Sequence, residues 1–241
     1  MPTDSSPDRF PWSEDHIASR IRDAVGHYWK TRGNQAGEAE QSAEDARGGK
    51  HLDGFVGILT DLARLAGFEE SEMRSRSRLE LPGYYRATKQ WDLLVIRGSR
   101  LCAAMEMKSQ VGPSFGNNHN NRVEEAVGSS EDLWTAYREG RLGAQSPYVG
   151  YFFMLEDAAG VHRIIRKRPD SVFRPDPVFD NTSYAARYEI LCRRLVLERK
   201  YSASCLLLAP RGLTGEYREP SPELSFANLA RAFYGHLIGC A

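Results

Sequence analysis

An aspartate and a Glu-x-Lys triplet are the residues of this chain best placed to do chemistry. Asp92 opens the apolar run Leu93-Leu94-Val95-Ile96. After a short turn a second run, Leu101-Cys102-Ala103-Ala104-Met105, leads into Glu106-Met107-Lys108-Ser109-Gln110. Two such runs joined by Arg97-Gly98-Ser99-Arg100 read as a pair of strands, 91–97 and 101–108. Residues two apart on a strand share a face. Cys102, Ala104, Glu106 and Lys108 are therefore expected on one side, and Leu101, Ala103, Met105 and Met107 on the other. The second side is wholly apolar and belongs in a core. If the strands form a hairpin, Asp92 meets Glu106 and Lys108 across the ladder. Two carboxylates then hold a hard divalent cation through oxygen, and an ammonium group stands beside an attacking water, which is the equipment of metal-assisted hydrolysis.

A Glu-x-Lys triplet alone carries little weight, because its bland reading is a surface ion pair. Here the triplet ends an apolar strand, an aspartate opens the neighbouring strand, and an amide-rich stretch follows. Rival chemistries lack their signatures: there is no G-x-S-x-G elbow, no phosphate-binding loop, no G-x-G-x-x-G and no H-E-x-x-H. His119 lies among Asn117, Asn118, Asn120 and Asn121, with no second histidine placed to complete a metal site. These asparagines, with Gln110 and Arg122, have another use. Asn and Gln pair bidentately with adenine, and Arg with guanine, in the major groove. Asparagine is equally a turn former.

The elements that must position these residues can be read from periodicity and punctuation. Ser13 caps a helix over 13–31, in which Ile17, Ile21, Ala24, Val25, Tyr28 and Trp29 recur at helical spacing. Residues 33–50 read as a mobile surface loop. A second helix covers 52–66 and stops at Gly67. Glu69 to Glu80 alternates in charge, as an edge strand or arm does, and Pro82-Gly83 marks a turn. Val111 to Asn121 reads as a loop, and Arg122 to Glu139 as a helix with a break or kink at Gly128. Residues 148–155 form a buried strand, and the prolines at 169, 175 and 177 an irregular excursion over 167–181. A helix runs from Thr182 or Ser183 to Arg199, a last strand covers 201–208, and Ser221 or Ser225 caps a helix ending near Ile238. The order implies an α/β fold: a single domain over 1–241, with a central mixed β-sheet flanked by helices.

Composition sets bounds on function. Lys and Arg balance Asp and Glu at 32 each, so no strongly basic domain advertises nucleic acid. The local distribution is more pointed. Arg74, Arg76, Arg78, Arg86, Lys89, Arg97 and Arg100 crowd the Asp92 strand, and Arg163, Arg166, Lys167, Arg168 and Arg174 form a second cluster. Such a surface can present one phosphate-facing cleft. No apolar run approaches the roughly 20 residues that span a bilayer, and Met1 to Arg9 is too polar for a signal peptide. A cytoplasmic protein without membrane contact is expected. Cys102, Cys192, Cys205 and Cys240 fit no zinc spacing and read as thiols, not as a disulfide framework.

On these residues the chain resembles a known family. Asp92…Glu106-x-Lys108 is similar to the pattern of the PD-(D/E)xK nuclease superfamily, with Trp91 where proline is usual. The longer stretch from Met105 through Asn118, continued by Asn120 to Ser129 and Asp132 to Glu139, resembles the XhoI-type type II restriction endonucleases, and the similarity covers most of the chain. The resemblance implies a restriction-endonuclease-like fold and a homodimer that uses Mg²⁺ to cut both strands of duplex DNA at the palindrome CTCGAG. It implies Asp92 and Glu106 as metal ligands and Lys108 as the residue that positions or activates the water. Asp53 or Asp61, on the helix before the strands, would complete the acidic set. Ser109 and Gln110 are expected near the scissile backbone, and Asn117, Asn118, Asn120, Asn121 and Arg122 to include base-reading residues. A cognate DNA methyltransferase is the functional counterpart. Two alternatives remain on the residues alone: a repair or junction-resolving nuclease of the same fold, and a non-catalytic DNA-binding protein in which Glu106 and Lys108 are a structural pair.

Overall fold

The computed structural model describes residues 10–37, 50–113, 115–166 and 172–240. The first helix, α1 (Glu14–Gly37), is followed by α2 (Asp53–Leu65) and by three short strands, β1 (Met73–Arg74), β2 (Glu80–Pro82) and β3 (Thr88–Gln90). The hairpin β4 (Leu93–Arg97) and β5 (Arg100–Gln110) follows. Then come α3 (Phe115–Arg138), β6 (Tyr148–Glu156), α4 (Tyr184–Leu197), β7 (Ala203–Ala209) and α5 (Phe226–Ile238). Five strands make one sheet in the order β1-β4-β5-β6-β7, and β2 and β3 pair apart from it. β1, β4 and β5 run antiparallel to their neighbours, whereas β5, β6 and β7 are parallel. The parallel pairs need crossovers, which α3 and α4 supply. The expected α/β architecture around a mixed sheet is the one observed.

Helices cover both faces of this sheet. Residues of α1, α2 and α5 form one core cluster with Leu93, Val95, Met105, Met107 and Phe152. Residues of α3 and α4 form the other with Leu94, Ala104, Tyr151 and Phe153. β6 is buried at every position, so its sequence runs apolar without alternation. The cysteines at 102, 192, 205 and 240 are free and buried. No helix among the described residues is long and apolar enough to cross a membrane.

Several boundaries differ from the sequence reading, each for a physical reason. The loop expected over 33–50 is helix as far as Gly37, because a helix already docked on α2 extends at little cost; residues 38–49 lie outside the described residues. The loop expected over 111–121 is helix from Phe115 onward. Asparagine is a poor interior helix former, but Phe115 and His119 are buried and continue the stripe of Ala126, Leu133 and Ala136. Tertiary packing overrides propensity there, and the helix also runs through Gly128 without a break. Ser183 and Ser225 are the caps of α4 and α5, accepting from Ala186 N at 3.3 Å and Asn228 N at 3.1 Å. The first third of the expected 167–181 excursion, residues 167–171, again lies outside the described residues.

One face assignment is corrected. Val95 pairs with Ala103 but Ile96 pairs with Leu101, so Cys102 is an extra residue in a bulge. A bulge moves the residues beyond it to the opposite face. Cys102 therefore joins Ala103, Met105 and Met107 in one cluster, and Leu101 joins Ala104 in the other. Glu106 and Lys108 lie beyond the bulge and keep their shared face.

Phe55 ties the layers together. It is wholly buried, with its ring 4.5 Å from Phe152 on β6 and 5.6 Å from Phe226 on α5. Truncating such a residue leaves a cavity, and Phe55→Ala is expected to destabilise the protein by about 3–5 kcal/mol. Urea unfolding measures this; a loss within experimental error would show that Phe55 does not join the layers.

Candidate active site

The hairpin register builds the site. Leu93 pairs with Met105, so Asp92, the next residue outward, stands opposite Glu106. Asp92 N donates to Met105 O at 3.0 Å, and Met107 N donates to Asp92 Oδ2 at 2.7 Å. These bonds fix Asp92 beside β5. Glu106 is 1% exposed. A carboxylate so buried is tolerated only with partners, and four side chains supply them. Tyr201, just before β7, donates its hydroxyl to Oε2 at 2.7 Å. Lys89 on β3 and Lys108 on β5 reach Oε1 at 3.2 and 3.3 Å. Ser129 on α3 donates to the same oxygen at 3.4 Å.

The electrostatics follow from this crowding. Burial alone would raise the Glu106 carboxyl, but the Lys89 and Lys108 ammonium groups and the Tyr201 hydroxyl hold it below the ordinary range. Burial raises the Asp92 carboxyl, against the Met107 amide and the Lys108 charge. Burial also lowers Lys89, whose ammonium lies 4.1 Å from the centre of the Trp91 ring. Tyr201 is pushed well above its ordinary value, by burial and then by Glu106, so it stays a donor.

An open cleft of about 470 Å³ reaches this cluster, lined by Arg86, Lys89, Gln90, Glu106, Lys108, Glu124, Glu125, Gly128 and Ser129. No group of three or more His, Cys, Asp or Glu side chains gathers as a metal cage among the described residues. Magnesium does not require one. It keeps waters and is commonly held by one or two carboxylates together with substrate phosphate. The oxygen-only pair Asp92 and Glu106 fits that demand.

The structure thus brings Asp92, Glu106 and Lys108 together and leaves other expected residues elsewhere. Gln110 is buried; its amide donates to Phe115 O at 3.0 Å and its carbonyl accepts from the Tyr188 hydroxyl. It ties the start of α3 to α4 from inside the fold. Ser109 is turned from Lys108 by the strand alternation and lies 3.1 Å from His51 Nε2. Asp53 and Asp61 line a different cleft, of about 650 Å³, with no residue in common with the first. Asp61 is paired there with Arg20 and Arg64, each at 2.6 Å. Asn118 is half-buried, and Asn120 and Asn121 are exposed, on the first turns of α3; the Asn117 side chain lies outside the described residues. Arg122 pairs with Glu125 one turn on. His119 is buried, its ring 4.9 Å from that of Tyr188.

Sequence reasoning missed Lys89, Tyr201 and Ser129 as partners of Glu106. Lys89 showed itself only as one member of a basic crowd. Tyr201 and Ser129 come from distant elements, and no local pattern marks them.

The geometry can be set beside known proteins. A family model described as restriction endonuclease XhoI matches residues 32–219. Over 185 residues the chain is 48% identical to the type II restriction enzyme BstVI of Geobacillus stearothermophilus, covering 73% of this chain and 82% of that protein. It is 42% identical over 182 residues to the type II restriction enzyme XhoI of Xanthomonas vasicola, covering 72% and 73%. It is 46% identical over 147 residues to AbrI of Azospirillum brasilense, covering 58% and 66%. No solved structure matches the chain.

Lys89→Met leaves Glu106 with a single ammonium partner. A destabilisation of about 1–3 kcal/mol is expected at neutral pH. A carboxyl whose folded pKa is depressed contributes stability above its unfolded value and loses it as pH falls through the folded value. Removing Lys89 weakens that depression, so the gap between parent and variant should narrow in acid. Urea unfolding of both proteins across this range is the check, and a gap independent of pH would contradict the pairing.

Proposed function

The chain belongs to the XhoI family of restriction endonucleases, and from that premise we propose that it cuts both strands of duplex DNA at CTCGAG, with Mg²⁺, through Asp92, Glu106 and Lys108. It is a type II restriction endonuclease, an enzyme that hydrolyses DNA at specific sites, and such enzymes generally use a divalent metal. The target sequence rests on the XhoI-type resemblance. The catalytic assignment rests on one observation: Glu106 and Lys108 share a face of β5 and line an open cleft, and Asp92 stands opposite Glu106 in the ladder.

In this reading Asp92 and Glu106 hold the metal through carboxylate oxygen. When bound, Mg²⁺ supplies charge for the developing pentacovalent phosphate and lowers the pKa of water. Lys108, with part of its side chain in solvent, orients the attacking water and balances phosphate charge. Tyr201 and Ser129 keep the Glu106 carboxylate aimed into the cleft. Asn117, Asn118, Asn120, Asn121 and Arg122, at the start of α3, are proposed to include the base-reading residues. Residues 1–241 act as one restriction-endonuclease-like domain, in the cytoplasm, and a cognate methyltransferase protects the host site. A palindrome calls for two sites related by a two-fold axis, hence a homodimer. A repair nuclease of the same fold would instead cut without regard to sequence.

Asp92→Ala, Glu106→Ala and Lys108→Ala are each expected to abolish cleavage in a folded protein. Wild-type turnover by Lys108→Ala would sink the assignment. EDTA should stop cutting and Mg²⁺ restore it, while Ca²⁺ supports binding with little cutting; full activity in chelator would refute the metal.

The target is tested on two plasmids, one with a single CTCGAG and one with a single base pair of it changed. Only the first should become linear, and its affinity should fall steeply with salt as phosphate contacts release counterions. Equal cutting of both plasmids would overturn the site.

A further inference from the structure

The β2–β3 hairpin carries a turn whose backbone is held by a buried charge. Asp132 on α3 is 1% exposed. Its Oδ1 accepts from Tyr84 N at 2.6 Å and from Tyr85 N at 2.8 Å, and its Oδ2 accepts from Arg86 Nε at 2.8 Å. Gly83 N donates to Ala87 O at 3.2 Å, and Arg141 Nη1 donates to Gly83 O at 3.1 Å. Gly83 has no room for a Cβ, which would lie 2.5 Å from Arg86 O and 2.7 Å from Asp132 Oδ2. The backbone of this turn is therefore fixed from several sides.

The side chains it fixes are left in water. Tyr84 is 46% exposed and Tyr85 69%. Their rings meet edge to face, with centroids 4.9 Å apart. Burying Asp132 carries a desolvation cost, and the bonds it makes fix the backbone that presents two largely exposed aromatic rings. Orienting contact groups in advance lowers the entropy lost on binding, and tyrosine offers a large contact area with few rotatable bonds.

The position of the turn says what the rings meet. The next residues of the same hairpin, Arg86, Lys89 and Gln90, line the cleft that contains Glu106 and Lys108. The tyrosines directly precede Arg86 in the turn and so adjoin that cleft, in which Lys108 is a partly exposed cation able to face a phosphate. We propose that the Tyr84–Tyr85 turn is a duplex-DNA contact beside the scissile phosphate, its rings packing on sugar and base edges and its hydroxyls donating to phosphate oxygens. The inference rests on the reading of the Glu106–Lys108 cleft as the cutting site.

The test compares the parent with the double variants Tyr84→Ala/Tyr85→Ala and Tyr84→Phe/Tyr85→Phe. Fluorescence anisotropy of a labelled duplex carrying the cut site gives Kd in EDTA, and steady-state cleavage gives KM and kcat. The alanine pair should raise Kd and KM by about tenfold, ~1.4 kcal/mol, with kcat and thermal midpoint near those of the parent. The phenylalanine pair, which keeps the rings, should recover most of the binding. Unchanged Kd and KM in the alanine pair would overturn the proposal. So would a loss of dimer mass with DNA affinity unaltered, which would make the turn a contact between copies. If the parent proves to cut a sequence other than CTCGAG, the duplex is built on that sequence and the comparison stands. Cleavage retained by Glu106→Ala marks the failure of the site reading, whereas an inactive Glu106→Ala beside an unaffected tyrosine pair marks the failure of this inference alone.

Discussion

The Glu106 carboxylate is the constraint around which this end of the fold is arranged. A charge at 1% exposure must be matched from nearby, and its own strand offers only Lys108. The other partners come from β3, α3 and the residue leading into β7. Each element must therefore arrive at a set place. Lys89 arrives because β3 pairs with β2 in a hairpin outside the main sheet, which turns it over Trp91 toward Glu106. Tyr201 arrives because α4 returns the chain to the parallel edge. Ser129 is carried by the crossover helix that makes β6 parallel to β5. Sheet topology and charge satisfaction are thus one problem with one solution.

The two carboxylates of the hairpin are held differently. Asp92 accepts a backbone amide from Met107, so its position is as rigid as the ladder. The partners of Glu106 are all side chains, and two are flexible lysines. A carboxylate fixed by backbone thus stands beside one held by side chains alone. Burial raises Asp92, and the ammonium groups lower Glu106 against the same effect. Two acids opposite each other on the hairpin therefore stand in unlike electrostatic states.

What the sequence made legible was what local periodicity governs. Asp92, Glu106 and Lys108 were visible because a strand fixes residues i and i+2 on one face and a short turn fixes the pairing. The parallel crossovers were visible because helix and strand alternate. The residues that escaped notice depend on long-range contact. Tyr201 is 95 positions from Glu106. The start of α3 was hidden because its buried stripe includes His119 and serines, which break the apolar pattern, and because asparagines read as turn formers. Cys102 was placed on the wrong face because a single inserted residue leaves no mark in the composition. Gln110 is polar, and polarity alone did not tell that its amide is used inside the fold, between Phe115 and Tyr188.

Buried carboxylates elsewhere show by contrast what is particular to Glu106. Asp132 accepts two backbone amides of the tyrosine turn. Glu156, at the end of β6, accepts Gly112 N at 2.7 Å and pairs with Arg211 at 2.6 Å. Both clamp main chain, and a clamp of that kind can open only if a loop moves. Glu106 clamps no main chain. Lys108 is partly in solvent and can leave the carboxylate without any strand or helix shifting, whereas Lys89 packs over Trp91 and also donates to Gln90 O at 3.1 Å. Asp132 and Glu156 also carry arginine counter-charges, Arg86 and Arg211, so what sets Glu106 apart among these acids is that side chains alone hold it, on the lining of a cleft.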